Sequence, residues 1–183
     1  FDLNRTQLSN LNIFRNNGIR GYITANGKIT GQLNDLKTAI NFNIDYPNYK
    51  GIRFREIWDG EIVNKNKGYL LKMNNSYSPI PSFLSIKVDP NLKLEKLEFS
   101  RLFDSNEGNF NIIRRDNAYK WTANNFPLNE LELSLQNNDF HRVDGTINGS
   151  GFIDTKNSTF DGRFSLSLGK YKNIKLANSL FDF

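Results

Sequence analysis

The chain has 183 residues, of which 38% are hydrophobic and 13% aromatic, a composition that supports one folded domain and excludes a disordered chain. Its net charge of +5 comes from 24 basic and 19 acidic residues scattered along the sequence, so we predict no binding to nucleic acid. The absence of cysteine excludes disulfides and thiolate metal sites. The sequence also has no run of about 18 apolar residues, so we predict no membrane-spanning helix.

Apolar and polar residues alternate with a period of two through most of the chain. The clearest segments, in chain order, are residues 40–44, 84–88, 131–135 and 164–168. Each segment puts its apolar side chains on one face of a strand. Turn signals such as Asn26-Gly27, Asp59-Gly60, Asp144-Gly145 and Asp161-Gly162 lie between the strand patterns. The sequence therefore predicts an all-β fold that is rich in antiparallel pairing.

Residues 92–103 are less regular than the other segments. Leu92, Leu94, Leu97 and Phe99 fit either a bulged strand or a short helix, and both alternatives remain open at this point.

Three motifs recur in the same order along the chain. Leu8-x-x-Leu11-x-Ile13 returns 120 positions later as Leu128-x-x-Leu131-x-Leu133, Gly27-Lys-Ile-Thr-Gly31 returns 118 positions later at Gly145, and Tyr49-Lys-Gly-Ile52 returns 122 positions later at Tyr171. We therefore expect residues 1–183 to be a fragment of a longer repetitive β-protein, with one repeat unit and the start of the next. The alternative is that short Gly-x-Ile-x-Gly turns recur by chance in β-hairpin proteins.

The residues that could carry catalysis are few. His141 is the only histidine, and without cysteine it cannot build a typical zinc site; no Gly-x-Ser-x-Gly motif is present. The carboxylates Glu130 and Glu132 alternate with leucines, which is typical of outward strand positions. The loops at 104–109 and 154–157, which each begin with an Asp, lack the spacing of a calcium loop. We predict neither an enzyme nor a bound metal or cofactor.

Three stretches carry a resemblance to a known family. They are Gly27-Lys-Ile-Thr-Gly31 through Tyr49-Lys-Gly51-Ile52, Gly108-Asn-Phe-Asn-Ile112 through Asn-Glu-Leu131, and Asp144-Gly145-Thr-Ile147 through Gly162-Arg-Phe164, which together span nearly the whole chain. The sequence resembles the TamB branch of the AsmA-like proteins (translocation and assembly module), in the form found in cyanobacteria and the chloroplast envelope.

The resemblance implies a fold, a location and partners. The fold would be an elongated, curved or folded-over single sheet, a β-taco whose apolar interior forms a groove. The segment would lie in the periplasm, as part of a protein anchored in the inner membrane by a helix outside this chain. Its partners would be phospholipid acyl chains, neighbouring β-repeats of the same chain and a BamA-like or TamA-like outer-membrane barrel. The function would be lipid transport and outer-membrane biogenesis or protein translocation, and no catalytic residue carries over.

The alternating segments supply candidate residues for the groove lining. An exposed acyl chain costs about 0.8 kcal/mol per methylene in water, or about 12 kcal/mol for a long chain, and a continuous apolar groove removes most of that cost. The candidates are Ile40, Phe42, Ile44, Tyr69, Leu71, Met73, Leu84, Ile86, Val88, Leu131, Leu133, Leu135, Phe164, Leu166 and Leu168.

Two alternatives assign other roles to the same residues. In a β-sandwich the apolar faces of two sheets would cover each other, and Trp58 and Trp121 could stack on sugars in a carbohydrate-binding or adhesin module. A β-barrel enzyme would instead need converging carboxylates in a polar cleft.

Overall fold

The computed structural model describes residues 1–16, 18–32, 35–49, 51–65, 68–75, 78–134, 140–172 and 174–182. These residues form a fifteen-stranded antiparallel sheet that curves into a ring-like shape, which confirms the predicted all-β fold built from a single curved sheet. Within the described residues the strands do not divide into the two separate sheets of a β-sandwich.

The strands are β1 (Asp2–Gln7), β2 (Ile19–Gln32), β3 (Asp35–Tyr49), β4 (Ile52–Phe54), β5 (Ile57–Lys65), β6 (Gly68–Asn74), β7 (Ser82–Val88), β8 (Leu94–Phe103), β9 (Asn106–Arg115), β10 (Ala118–Pro127), β11 (Leu131–Ser134), β12 (Phe140–Asp154), β13 (Thr159–Tyr171), β14 (Ile174–Lys175) and β15 (Ser179–Asp182). A short 3-10 helix (Leu8–Asn10) and a five-residue helix, α1 (Asn12–Asn16), follow β1. Tight turns connect most strands. Between β8 and β9, for example, Asp104 and Ser105 both have positive φ, as a two-residue hairpin turn of type I′ requires.

Two long strands, β3 and β12, are each shared between several neighbours. One edge of β3 pairs with β2, and the opposite edge pairs with β5 at residues 39–45 and with β4 at residues 48–49. One edge of β12 pairs with β13, and the other pairs with β10 at residues 146–154 and with β11 at residues 140–143. Because β4 also pairs with β11, the path β3–β5–β6–β7–β8–β9–β10–β12–β11–β4 returns to β3 as a ring.

The register of the sheet lines up residues of one kind across the strands. Residues that lie directly opposite each other in antiparallel strands share a face of the sheet. One row crosses twelve strands and contains only apolar residues and glycine: Leu3, Ala25, Phe42, Gly60, Met73, Leu84, Phe99, Phe110, Ala123, Gly149, Phe164 and Phe181. We call the face that carries this apolar row the inner face.

The neighbouring row, on the outer face, is polar in every strand it crosses. Its members are Asp2, Asn26, Asn41, Glu61, Lys72, Ser85, Glu98, Asn111, Thr122, Ser150, Arg163 and Asp182. A slip of one residue in any strand would exchange the two rows at that strand and bring a polar or charged residue to the inner face. The alternation in the sequence and the pairing of the strands therefore specify the same register.

The irregular segment at residues 92–103 is a bulged strand. Lys87 pairs with Lys96 while Val88 pairs with Leu94, so Glu95 is the extra residue of a β-bulge at the start of β8. The bulge leaves the carboxylate of Glu95 2.6 Å from the ammonium group of Lys87. The alternative of a short helix is wrong.

Two distant parts of the sheet contain the same bulge, which changes one of the sequence matches. Register shifts occur at Gly21, between β2 and β3, and at Gly145, between β12 and β13; these glycines have φ of 130° and 129°. Gly145 is therefore the counterpart of Gly21 and not of Gly27, which the sequence comparison paired with it. A Cβ at Gly21 would lie 2.9 Å from the carbonyl oxygen of Asp45, which explains why glycine occupies this position.

Candidate functional site

The inner face brings together most of the residues predicted to line a groove. Those that share it, by register or by packing, are Ile40, Phe42, Ile44, Tyr69, Leu71, Met73, Leu84, Ile86, Val88, Leu131, Leu133, Phe164 and Leu166. Phe42 and Met73 pack with Leu8, Ile23 and Trp58 in a buried cluster. A second cluster surrounds Trp121 and Phe126, and Phe99 touches both clusters.

One of the predicted lining residues does not join this face, and another lies outside the described residues. Leu168 is 82% exposed and has a φ of 53°, because it lies in the bulge between β12 and β13 where the alternation is interrupted. The structure therefore places Leu168 in solvent and not in a groove. Leu135 lies outside the described residues.

Aromatic side chains fill the ring beside the β4–β11 pair. Phe99 of β8 lies 5.8 Å from Phe54 of β4, 6.0 Å from Trp58 of β5 and 5.0 Å from Phe126 of β10, measured between ring centroids. Phe99 and Trp58 belong to strands that have two others between them, so this contact requires the sheet to curl. We call Phe54, Trp58, Phe99 and Phe126 the aromatic plug, and they close this end of the inner face.

Trp121 is packed in a different way, against glycines. Its indole lies 5.8 Å from the ring of Phe160 with an interplanar angle of 4°. A Cβ at Gly151 would come within 2.6 Å of the indole nitrogen, and one at Gly162 within 2.7 Å of the ring. Trp58 and Trp121 are only 2% and 5% exposed, so neither offers the open surface that a sugar-stacking platform needs.

The middle of the inner face is lined mostly by aliphatic side chains, in contrast to the aromatic rings of the plug. A second apolar row crosses it beside the first: Ile40, Ile62, Leu71, Ile86, Leu97, Ile112 and Trp121. All of these except Trp121 are half-buried. Tyr69, Val88 and Tyr119, one step further from the plug, are half-buried as well. The aliphatic part of the inner face therefore remains partly accessible.

Polar groups gather at the end of the inner face opposite the aromatic plug. A cavity of about 920 Å³ opens there and is lined by Lys93, Arg114, Asp116, Asn117, Tyr119, Thr155 and Lys156. Arg114 follows Ile112 on the inner face and donates a hydrogen bond of 2.8 Å to Asp89. This hydrogen bond, together with backbone donors in the same turn, holds the pKa of Asp89 below its ordinary value.

The inner face carries a buried arginine that was not predicted from the sequence. Arg101 is 1% exposed; its Nε donates to Ser82 Oγ over 3.2 Å and its Nη1 donates to the Pro127 carbonyl over 2.7 Å. Burial lowers the pKa of Arg101 to about 10, which leaves the side chain charged at neutral pH, and the negative charges of Glu56 and Glu130 oppose this shift.

The remaining guanidinium nitrogen of Arg101 makes no hydrogen bond to the part of the chain that the structure describes. Arg101 Nη2 is buried and lacks a hydrogen-bond partner among the described residues, as does the Oε2 atom of Glu56. Arg101 falls in phase with the apolar positions Leu97 and Phe99 of the same strand. A charged residue in the apolar phase was the signal that could have identified it.

The carboxylates considered for catalysis are engaged in ion pairs. Glu130 lies 2.7 Å from Arg142, and Glu132 accepts a hydrogen bond of 2.6 Å from Arg53 Nε. Among the described residues, no three His, Asp or Glu side chains lie close enough together to hold a metal ion. At the end of β12, Asp154 accepts hydrogen bonds from the backbone N–H groups of Lys156 and Asn157, which lower its pKa and are typical of a turn.

Comparison with known proteins adds no assignment. No protein family, no curated protein and no solved structure matches the chain. Within the part of the chain that the structure describes, neither helix has the length and apolar character needed to cross a bilayer.

Proposed function

We propose that this chain is a periplasmic segment of a TamB-like envelope-bridging protein, and that its inner face carries phospholipid acyl chains. One observation carries the proposal: the apolar row runs without a charged residue across twelve strands of one curved sheet. Acyl chains need a continuous apolar surface and no specific hydrogen bonds, so a row of this kind suits them.

The differences along the inner face support one orientation of the bound lipid. Trp58 and Phe126 of the aromatic plug are buried, whereas Leu71, Ile86 and Ile112 in the middle are partly accessible. Lys93, Arg114 and Lys156 lie around the cavity at the opposite end. An acyl chain would therefore lie along the aliphatic middle, with its phosphate group near these basic side chains.

The wider role rests on the resemblance. Such a segment would add apolar surface between an inner-membrane anchor and an outer-membrane barrel of the BamA type, with neighbouring β-repeats extending the same sheet. Its contribution to lipid transport and outer-membrane biogenesis would be to lower the cost of moving acyl chains through the periplasm, about 12 kcal/mol for a long chain.

Co-purifying lipid provides the test. We expect native mass spectrometry and lipid extraction to detect phospholipid bound to the purified chain. Ile86→Gln should reduce bound lipid strongly, because it puts an amide in the half-buried middle of the inner face. The matched control is Ser85→Gln, which makes the same side chain one residue earlier on the outer face and should leave bound lipid unchanged.

A brominated fatty acid gives a second readout. Bromine on a bound acyl chain should quench tryptophan fluorescence, since Trp121 lies opposite Ile112 in the second apolar row. Equal lipid content in both variants, or no lipid and no quenching, would overturn the proposal. A packed binding module without an acyl-chain site would then replace it.

A further inference from the structure

β4 pairs with β11, and this pairing closes the ring of strands. Leu131 lies opposite Phe54, Glu132 opposite Arg53 and Leu133 opposite Ile52. Just beyond these pairs, the Ser134 N–H donates to the Gly51 carbonyl over 2.8 Å. Strands from residues 52–54 and 131–134 thus close the ring although about 80 residues separate them in sequence.

The strands on the two sides of this closure belong to two copies of one structural unit. The first unit contains β1, α1, β2, β3, β4 and β5; the second contains β10, β11, β12, β13, β14 and β15. The pairings β1–β2, β2–β3, β3–β4 and β3–β5 of the first unit correspond to β10–β12, β12–β13, β13–β14 and β13–β15 of the second. Among the described residues, the clearest difference in secondary structure is that α1 of the first unit corresponds to β11 of the second.

The irregularities of the first strand recur in the second unit. The register of β1 shifts around Arg5, which has a φ of 33°, and the register of β10 shifts around Asn125, which has a φ of 47°. The Arg5 N–H donates to the side chain of Thr24, and the Asn125 N–H donates to the side chain of Asn148. Arg5 and Asn125 are 120 positions apart, the spacing of the Leu8 and Leu128 motifs.

The irregularities of the third strand recur as well. Opposite the two bulge glycines, Tyr46 of β3 has a φ of 51° and Leu168 of β13 has a φ of 53°. The Tyr46 N–H donates to the Glu56 carbonyl, and the Leu168 N–H donates to Asn178 Oδ1. Both pairs of positions are 122 apart, the spacing of the Tyr49 and Tyr171 motifs.

The turn before the differing element is also shared. The Leu11 N–H donates to the Leu8 carbonyl over 3.0 Å, and the Leu131 N–H donates to the Leu128 carbonyl over 3.0 Å. In the second unit the chain then continues as β11, which pairs with β4. In the first unit it continues as α1, and among the described strands none lies beside it in the position that β4 takes beside β11.

The second unit has the complementary gap. β14 corresponds to β4, but among the described strands it pairs with β13 alone. Its Ile174 is 63% exposed, and Leu176, which follows it, is 40% exposed. Phe54, the counterpart of Leu176, is half-buried beside Leu131 and belongs to the aromatic plug.

We propose that a second copy of this chain fills both gaps by head-to-tail pairing. In the register of β4 and β11, Leu11 of one copy lies opposite Leu176 of the next, and Asn12 lies opposite Lys175. Apolar side chains then meet apolar ones and polar side chains meet polar ones. The pairing converts Asn12 from helix to strand at little cost, because an isolated five-residue helix is marginal in water and Leu11 is already extended.

The contact is heterologous, since it joins different surfaces of the two copies. Each added copy leaves the same two surfaces free at the ends, so the pairing produces an open series rather than a closed dimer. The inference rests on the geometry of the two units and does not depend on lipid binding.

Disulfide cross-linking tests the register directly, because the chain has no cysteine of its own. The alternation of an antiparallel ladder makes Leu131 and Phe54 a non-hydrogen-bonded pair, whose short Cα separation suits a disulfide. The double variant Leu11→Cys, Leu176→Cys, oxidised as the intact chain, should give dimers, trimers and longer products on a non-reducing gel. Ile52→Cys, Leu133→Cys should give an intramolecular disulfide in a monomer.

Two controls identify the register and the direction. The double variant Leu11→Cys, Asn178→Cys places the second sulfur two residues beyond position 176, out of the proposed register. It should therefore form fewer intermolecular disulfides. Each single variant should stop at the dimer. Two outcomes would overturn the proposal. One is that the Leu11→Cys, Leu176→Cys variant forms intramolecular disulfides exclusively; the other is that the Leu11→Cys, Asn178→Cys variant gives the same series of cross-linked products.

Sedimentation velocity provides a second measurement without cysteine. The unmodified chain should show an apparent mass that rises with concentration, and Ile174→Glu should abolish this rise. Ile174 is exposed, so its substitution should leave the far-UV circular dichroism spectrum unchanged. A monomer at every concentration would contradict the proposal, and it would leave the lipid-binding test unaffected.

Discussion

The two units of the chain differ most at equivalent positions that have different neighbours. Asn12 is an exposed residue of a one-turn helix, whereas its counterpart Glu132 is a buried residue of a strand. The turns that precede them have the same hydrogen bond of 3.0 Å. The strand beside them differs: β11 has β4, and α1 has no such neighbour among the described strands. The two segments also differ in sequence, so the change from helix to strand accompanies both a new neighbour and different side chains.

The largest expected effect concerns the inner face that both units share. Trp58 belongs to β5 of the first unit and Trp121 to β10 of the second, and both are buried. Trp58→Ala and Trp121→Ala should each lower the free energy of unfolding by about 3–5 kcal/mol, because each removes a large buried side chain. Urea denaturation measures this change. A loss below about 1 kcal/mol for one variant alone would show that the two units are not equally packed.

A smaller change in stability should distinguish Glu132 from its counterpart Asn12. Glu132 accepts a hydrogen bond from Arg53 and lies 3.4 Å from Arg55, so Glu132→Ala should cost about 1 kcal/mol after allowance for the partial exposure of both arginines. Asn12→Ala, its matched control in the first unit, should change stability by less than about 0.5 kcal/mol. An equal loss of stability in the two variants, measured by thermal or urea unfolding, would show that pairing with β4 does not distinguish the two positions.

The smallest expected effect is a change in the acid dependence of stability. It concerns Asp89 and Arg114, which lie outside both units in the segment of β6 to β9 that connects them. Because hydrogen bonding to Arg114 lowers the pKa of Asp89 from its ordinary 3.8, the ionised carboxylate contributes stability that is fully present above that value. This stability is lost as the pH falls through the lowered value of the folded state.

Acid titration of unfolding checks this sign. Asp89→Asn should reduce the loss of stability below about pH 4, and Arg114→Gln should do the same because it removes the partner that lowers the pKa. An unchanged acid dependence in both variants would show that this ion pair does not contribute to the stability of the connecting strands.

Much of the site could be predicted because it depends on local alternation. Residues 40–44 and 84–88 place three apolar side chains each on one face of a strand, and the structure has those side chains on the inner face. Prediction failed where the alternation is interrupted. Leu168 continues an alternating pattern in the sequence, but a bulge turns it into solvent. Bulges depend on both strands of a pair, so one strand's pattern does not reveal them.

The sequence by itself determined that this chain forms strands, which residues share a face of each strand, and that certain motifs recur about 120 residues apart. The strands and their faces follow from the period of two. The Asn-Gly and Asp-Gly turn signals were wrong, because residues 26–27, 59–60, 144–145 and 161–162 lie inside β2, β5, β12 and β13. Only the tertiary structure decided which strands pair, because β4 and β11 meet across a long stretch of chain whose local patterns do not specify the pairing. That closure creates the aromatic plug and sets the exposed β14 apart from its paired counterpart β4. The burial of Arg101 against Pro127 and Ser82 was likewise decided by packing between strands.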